Sequence, residues 1–336
     1  RINSDYKHSL LINRRHYLLI AALVVVMIFS MLFSFLSGSI DLTLSTLVTE
    51  FINPGNSLES QILREIRIPR TLAAFTTGAL LAISGVIMQV ILRNPLADPY
   101  ILGISGGAAV GALSAILLGA SGIVLNNAAF VGALFSVGLV FGISNKYGRW
   151  SITRLLLTGI VVSAGWGAVI NILLTTSSSN NVQSMLFWLM GDLSQSRVHI
   201  GHYALLSFGL IGGLLLGRSL NVLSRGELIA QGLGINLKSL RLTLYLAASL
   251  FTATAVTTAG SVGFVGLVIP HMLRLIGARD HRVLMPCSIL LGGSFLTIAD
   301  SLARTIIAPQ QLPVGVVTAI IGVPTFIFIL RSTITK

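Results

Sequence analysis

Ten long apolar runs recur along this 336-residue chain, and they restrict its fold more than any other feature of the sequence. A bilayer core about 30 Å thick is crossed by roughly 20 helical residues. The runs are continuous, whereas the strands of a membrane β-barrel alternate, and only 10% of the residues are charged, against about 25% in soluble domains. The sequence therefore predicts an all-α integral membrane protein with ten transmembrane helices, at residues 18–36, 71–92, 100–118, 123–143, 155–175, 200–216, 240–257, 262–276, 283–299 and 314–330.

The basic residues are distributed unevenly between the loops that join these runs. If both termini are cytoplasmic, five of the 22 lysines and arginines fall on the outer side and the other 17 on the inner side. An excess of lysine and arginine marks cytoplasmic loops, so the distribution favours this orientation and explains the net charge of +12 without nucleic acid. The first run follows Arg14 and Arg15 and lacks a small-residue cleavage site, so we expect it to be retained as a span.

The ten runs divide into two halves of five helices. An odd number of spans per half gives the halves opposite orientations, as in many transporters. We expect one membrane domain over residues 1–336, with a cytoplasmic N-terminal segment (1–17), an outer loop (37–69) and a long cytoplasmic segment (218–241). Within the loops, residues 44–51, 185–191 and 227–231 predict short helices, and Gly232 and Gly234 are expected to end the last of these.

Glycines at four-residue spacing recur inside the runs. Small residues let helix backbones approach closely, so such ladders predict tight packing within a helix bundle. They are Gly103, Gly107 and Gly111; Gly138 and Gly142; and Gly209, Gly213 and Gly217.

No catalytic motif in the sequence has the context that its chemistry requires. No lysine follows a glycine, so the phosphate-binding loop of an ATP site is missing. Residues 103–107 match the G-x-S-x-G nucleophile elbow, but they begin an apolar helix with no strand before it. The single cysteine, Cys287, excludes an intrachain disulfide and a multi-cysteine metal site. We therefore predict no catalytic residue, no metal ligand and no cofactor in this chain.

Two other classes of membrane protein are disfavoured on the same grounds. An intramembrane enzyme would need an acid–base set, and His271 in mid-span has no acid within the spans to orient it. A solo secondary carrier usually uses intramembrane acids for proton or sodium coupling, and the predicted spans lack them.

The segment AGSVGFVGLVIPHMLRLIGARDHRVLMP at residues 259–286 resembles, nearly residue for residue, the FecCD-type permeases. These are the membrane subunits of ABC importers for siderophore iron, haem and cobalamin. The resemblance covers residues 67–330 and includes RIPRTLA (67–73), GVIMQ (85–89), NPLA (94–97), FWLMG (187–191), AD (299–300) and LPVGVVT (312–318).

The resemblance implies partners and a mode of action. It implies a homodimer in the bacterial cytoplasmic (inner) membrane, surrounded by lipid and moving its cargo by alternating access. Two cytoplasmic ABC ATPase subunits would hold the ATP and Mg²⁺, and a periplasmic or lipid-anchored substrate-binding protein would dock on the outer side. The implied cargo is an iron-siderophore or haem, because the FWLMG segment is more similar to the family members that carry these. Cobalamin is the alternative, and a molybdate-type oxyanion is less favoured.

The resemblance also assigns roles to three groups of residues. Arg67, Arg70 and Arg304 are similar to outer arginines that meet acidic side chains of the binding protein, a pairing that suits arginine. Interfacial arginines are the alternative, with Asp300 and Arg304 as a local i,i+4 ion pair. The segment similar to the ATPase-coupling helices contains Arg225, Glu227, Ala230, Gly232 and Gly234, and the turns similar to the cytoplasmic gate contain Asn94, Leu96, Ser151 and Ile152. Ile152 departs from the serine/threonine pair of the family.

Three histidines leave alternatives open. His199 and His202 would share a helix face on the outer side and either contact a metal or haem or lie at the interface; the second is favoured. His271 follows Pro270 in mid-span. It either lies on the cargo route or packs within the bundle and satisfies the carbonyl that Pro270 frees, and packing is favoured.

Overall fold

Every regular element that the structure describes is a helix. The computed structural model describes residues 2–38, 42–52, 55, 57–145 and 151–334. The helices are α1 (Ile2–Leu36), α2 (Leu44–Ile52), α3 (Leu58–Gln61), α4 (Ile68–Ile91), α5 (Ile104–Leu117), α6 (Gly122–Ser144), α7 (Ile152–Thr176), α8 (Ser179–Met190), α9 (Ile200–Leu223), α10 (Glu227–Gly232), α11 (Leu237–Ala259), α12 (Val265–Leu275), α13 (His281–Thr305) and α14 (Val314–Ile334). A π-helical segment, Ile62–Arg67, joins α3 to α4, and a 3₁₀ turn, Pro99–Leu102, precedes α5.

The apolar helices coincide with the ten predicted runs. Seven of the described helical segments are long and apolar enough to cross a membrane, and three shorter apolar helices, α5, α12 and α14, account for the other runs. The predicted bounds of α5 and α12 were too long at their starts. Asp98 caps the 3₁₀ turn before α5 through the Tyr100 N–H at 2.7 Å. Gly103 and Phe264, the residues directly before α5 and α12, each have a φ of +70°, so neither helix extends back to its predicted first residue.

The helix α4 is the centre of the bundle. The whole apolar part of this helix is buried, and it packs against α11, α12 and α13. Two pairs of glycines set the closest approaches: Gly78 faces the Gly292 carbonyl of α13, and Gly85 faces the Gly266 carbonyl of α12. A Cβ atom at Gly78 or Gly85 would lie under 3.0 Å from that carbonyl oxygen, so these contacts require glycine.

The predicted glycine ladders fall into two kinds. Gly107 and Gly111 lie against the backbone of α6, and Gly213 and Gly217 lie against side chains of α13, so close packing is confirmed for these two ladders. A Cβ atom at Gly138 or Gly142 of α6 would meet no described atom within 4 Å. The prediction of packing within the chain is therefore wrong for that ladder, because both glycines lie on the exposed face of α6, whereas Val137 and Val140 of the same stretch are buried.

The proline in α12 is accommodated by a side chain from α4. Pro270 has no N–H to donate to the Gly266 carbonyl one turn earlier. The Gln89 amide nitrogen lies 3.5 Å from this oxygen and 3.2 Å from the Leu267 oxygen. For His271 the sequence favoured packing within the bundle together with this role. The His271 ring is buried, but its Nδ1 has no hydrogen-bond partner among the described residues, so the assignment of the carbonyl to His271 is wrong. Gln89 reaches the carbonyl because α4 and α12 approach so closely at Gly85.

The short helices lie at the positions in the loops where the sequence predicts them. The helix α2 confirms the prediction for residues 44–51, and α8 contains the predicted residues 185–190. The end of α8 caps the bundle: the Gly191 carbonyl accepts from the Val314 N–H at 3.0 Å, and the Ala259 carbonyl accepts from the Asp192 N–H at 2.9 Å. The inner segment is shorter than 218–241, because α9 continues to Leu223 and α11 begins at Leu237.

Candidate functional site

The ion pairs at the two ends of the bundle join residues that the predicted topology places on the same side of the membrane. At one end, Glu227 pairs with Arg93 and Arg241, all three of which were placed on the inner side. At the other end, Asp300 pairs with Arg70 and Arg304, which were placed on the outer side. The bundle therefore has two polar ends, and the candidate site residues divide between them.

The helix α10 projects from the inner end on two glycine hinges. Gly226 precedes it with a φ of +133°, and Gly234 follows it with a φ of +78°, a region that side chains rarely adopt. Ala230 is fully buried against the bundle. On the opposite face, Leu228 is 83% exposed, and Leu233, which directly follows the helix, is 66% exposed. A helix of six residues is not stable on its own in water, so α10 depends on its contacts with the bundle.

Glu227 ties α10 to two other elements. Its Oε1 accepts from Arg241 of α11 and lies 3.0 Å from Nη2 of Arg93, directly after α4. The hydrogen bond from Arg241, with the charges of Arg241 and Arg93, holds the pKa of the Glu227 carboxyl below its usual range, against the opposing effect of burial. Because the pKa is lowered, the stabilisation by these ion pairs is fully present above the usual glutamate pKa. It is lost only as the pH falls through the lowered pKa of Glu227.

The other coupling residues surround this link. Arg225, Gly232 and Gly234 are exposed beside α10. Of the five predicted coupling residues, Glu227 and Ala230 hold the helix to the bundle. Sequence reasoning did not identify Arg93, Arg241 or the exposed Leu228. Leu228 could have been identified as a leucine within a polar loop. The partners of Glu227 could not, because they lie far from it along the chain.

The predicted gate residues lie in two separate turns. Asn94 follows Arg93, and its Oδ1 accepts from the Leu96 N–H at 2.9 Å. Ser151 caps α7, where its hydroxyl accepts from the Arg154 N–H at 3.4 Å, and Ile152 is the first residue of that helix. Among the described residues, no hydrogen bond joins Asn94 or Leu96 to Ser151 or Ile152. The turn of Asn94 and Leu96 is nevertheless connected to α10, because Arg93 stands next to it and pairs with Glu227.

The outer end holds a buried ionic cluster. Asp300 is fully buried between two arginines, with Arg70 Nη2 at 2.9 Å from Oδ1 and Arg304 Nε at 3.3 Å from Oδ2. Arg70 also donates to Gln311 Oε1 at 2.9 Å, and Arg304 donates to Ser34 Oγ at 2.9 Å. The local ion pair of Asp300 and Arg304 is confirmed, while Arg70 is a second partner that the sequence did not indicate. The cluster joins α1, α4 and α13.

Arg67 is held apart from this cluster. Its Nη1 donates to the carbonyls of Phe35 and Leu36 at 2.8 and 2.7 Å, and so it caps the end of α1. The exposed fractions of Arg67, Arg70 and Arg304 are 3%, 5% and 6%. The three predicted docking arginines thus lie at the outer end, with much of their hydrogen-bonding capacity used inside the chain.

The two outer histidines form part of a polar wall. His202 Nδ1 accepts from the His199 N–H at 3.2 Å, so its Nε2 carries the proton and donates to Thr258 Oγ1 at 3.1 Å. Both ring nitrogens of His202 are therefore occupied. Among the described residues, no three histidine, cysteine or carboxylate side chains are grouped so that they could hold a metal ion.

Comparison with known proteins gives a consistent set of similarities. Residues 25–332 match the model of the FecCD transport family. The cobalamin import system permease protein BtuC of Halobacterium salinarum is 43% identical over 274 residues, which are 81% of this chain and 73% of that protein. The hemin transport system permease protein HmuU of Yersinia pestis is 36% identical over 324 residues, 93% of this chain and 95% of that protein.

A solved structure agrees with these sequence matches. It is an inward-facing conformation of a protein assigned to the metal-chelate type of ABC transporter, and it is 31% identical to this chain. The TM-score is 0.79, and the match covers 93% of this chain and 98% of that one.

Proposed function

Since this chain belongs to the FecCD transport family, and is thus a multi-pass membrane permease of an ABC importer, we propose that its cargo is a metal chelate. Relatives named for cobalamin and hemin import, each similar over most of this chain, support this class of cargo. Iron-siderophore and haem are the first candidates in the class. Cobalamin stands beside them, because the relative with 43% identity is named for it.

The structural observation that best supports the importer assignment is the short, partly exposed helix α10. An isolated short helix with an exposed leucine face, anchored at one end of a membrane bundle, is suited to a groove on a soluble partner. We assign that partner as the ATPase, so that ATP hydrolysis takes place outside this chain. The permease itself changes no covalent bond.

The ion pairs at the inner end give a route from this partner to the gate. A displacement of α10 acts on Arg93 through Glu227, and Arg93 is adjacent to Asn94 and Leu96. The second arginine, Arg241, links α11 to α10 through the same carboxylate of Glu227. We propose that ATP-driven motion of the partner opens and closes the turns of Asn94 and Leu96 and of Ser151 and Ile152 in this way, with a second copy of the chain forming the other half of the path.

The exposed helices support a homodimer. The faces of α7 and α14 leave large apolar side chains uncovered, among them Val161, Ile160 and Ile320 with exposed fractions of 70%, 60% and 65%. We propose that a second copy covers part of this surface and lipid the rest. The binding protein would dock at the outer end, where Arg70 and Arg304 keep unused N–H donors because a guanidinium carries five.

The coupling role predicts a strong effect at Leu228. We expect Leu228→Asp to weaken ATPase association by about 2 kcal/mol or more, roughly 30-fold in affinity, because it places a charge in the centre of an apolar contact. Co-purification of the ATPase with the permease measures this. Leu118→Asp is the matched control, since Leu118 is 85% exposed at the outer end of α5. Equal ATPase recovery from both variants would refute the role of α10.

The proposed function is tested by reconstitution. The permease, its ATPase and its binding protein are placed in proteoliposomes, and ATP-dependent uptake is measured for haem, an iron-siderophore, cobalamin and molybdate. Uptake of any of the first three, abolished by Leu228→Asp, is the expected result. Uptake of molybdate alone would overturn the metal-chelate assignment while leaving the family intact.

A further inference from the structure

A polar cavity and an apolar groove meet at the outer end of α6. The cavity has a volume of about 250 Å³ and lies between α6, α9 and α11; its walls include Asn126, Arg197 and Thr257. The groove has a volume of about 790 Å³ and runs between α5, α6 and α7. Asn127 lines both. We propose that the two together bind one anionic phospholipid of the outer leaflet, with its phosphate in the cavity and an acyl chain in the groove.

The cavity offers donors that the protein leaves unused. Within the described part of the chain, the side chains of Asn126, Asn127 and Arg197 form no hydrogen bond or ion pair, and all three are exposed. The titratable residues lining the cavity are Arg197, His199 and His202, and no carboxylate is among the described lining residues. A guanidinium and amide N–H groups suit phosphate oxygens, and the unopposed charge favours a headgroup with net negative charge.

The wall of the cavity is fixed independently of any ligand. The proton of His202 Nε2 is donated to Thr258 Oγ1, which in turn donates to the Thr254 carbonyl at 2.8 Å. The Thr257 hydroxyl donates to the same carbonyl at 2.9 Å. Arg197 therefore lies beside a preformed polar wall.

The position of the two asparagines fits the headgroup depth. Asn126 and Asn127 come four and five residues after Gly122, so they lie about 6–8 Å along the helix from its outer end. Amides facing hydrocarbon at this depth would be costly, whereas the interface supplies polar partners.

The groove has the length of one leaflet. Its exposed lining on α6 runs from Val124 to Phe135, which is roughly 16 Å along a helix, and half of a hydrocarbon core about 30 Å thick is about 15 Å. Val131 is 65% exposed along this stretch. The groove is closed below by Phe135 and Trp166, whose rings meet edge to face with centroids 6.0 Å apart. An acyl chain entering beside Asn127 would reach the aromatic floor near the middle of the membrane.

The test is retention of lipid by the purified full-length permease, measured by native mass spectrometry after incubation with phosphatidylglycerol or phosphatidylcholine. We expect the permease to retain phosphatidylglycerol in preference. Arg197→Gln should lower this retention at least fivefold, whereas Arg218→Gln, an exposed arginine near the inner end of α9, should not. Val131→Trp should fill the groove and lower retention similarly. Val25→Trp on α1 is its control, because Val25 has the same exposed fraction of 65% and lies outside the groove. Val124→Trp is a second groove variant if the first does not fold.

A second measurement separates the sources of phosphate. Thermal unfolding is followed with phosphatidylglycerol, with its soluble headgroup glycerophosphoglycerol and with inorganic phosphate. Stabilisation by the lipid alone, lost in Arg197→Gln, supports the proposal. Equal stabilisation by inorganic phosphate or by the soluble headgroup would identify a site for a free oxyanion, and unchanged lipid retention in Arg197→Gln or in the groove variants would also overturn the proposal.

Discussion

Gly85→Ala is expected to prevent normal assembly of the bundle, although it adds a single methyl group. The new Cβ would lie under 3.0 Å from the Gly266 carbonyl oxygen, and the obstacle is backbone, which cannot rotate aside. Overpacking of this kind costs about 3 kcal/mol, and here it separates α4 from α12. The separation also removes Gln89 from the carbonyls beside Pro270.

This prediction is checked by the yield of monodisperse permease in gel filtration and by its thermal unfolding. Gly138→Ala is the matched control, because Gly138 also lies inside a membrane helix and its added Cβ meets no described atom within 4 Å. Alanine favours helix over glycine by roughly 1 kcal/mol, so the control should be neutral or slightly stabilised. If Gly85→Ala behaves like Gly138→Ala, the close approach of α4 and α12 is not required for the fold.

Asp300→Asn is expected to have the second large effect. The substitution keeps the size of the side chain but removes the negative charge from between Arg70 and Arg304, both of which are buried. Removing one partner of a buried ion pair costs about 3–5 kcal/mol, because the remaining charge is left uncompensated. The melting temperature of the purified permease should fall, and the contact of α1 with α13 should loosen with it.

A double-substitution cycle identifies the cause. If Asp300 acts through Arg70, then Asp300→Asn combined with Arg70→Gln should lose much less stability than the sum of the two single variants, since coupled sites depart from additivity by roughly 0.5–3 kcal/mol. Additive losses would contradict the coupling. Asp192→Asn is the control for a carboxylate at the same end that bonds only locally, to Ser194.

The helical fold was predictable because it depends on local composition. Each membrane helix is indicated by a continuous apolar run, so both ends of α4 and the starts of α9 and α13 could be placed to within three residues, although α9 and α13 extend seven and six residues beyond their predicted ends. The starts of α5 and α12 could not be placed in this way, because they depend on a left-handed backbone at Gly103 and at Phe264. The pattern of apolar residues in the sequence indicates neither feature.

The candidate site was predictable only where its residues are neighbours in sequence. The i,i+4 pair of Asp300 and Arg304 and the glycine-bounded helix α10 are local patterns. The partners that hold them are not: Arg70 stands 230 residues before Asp300, and Gln89 meets α12 only because two helices cross. Likewise, the resemblance indicated outer arginines, but the sequence could not indicate that Arg67 caps α1.

The separation of Arg70 from its carboxylate also has a consequence for biosynthesis. At about 5–20 residues per second, the ribosome needs roughly 10–50 s to reach Asp300 after it has made Arg70. During this time the nascent chain carries Arg70 at the outer end of α4 without its counter-ion, and α4 lacks the helix α13 that buries it. A chain that stops before the ninth span therefore leaves this arginine without its carboxylate, which distinguishes the outer end of an unfinished permease from that of a finished one.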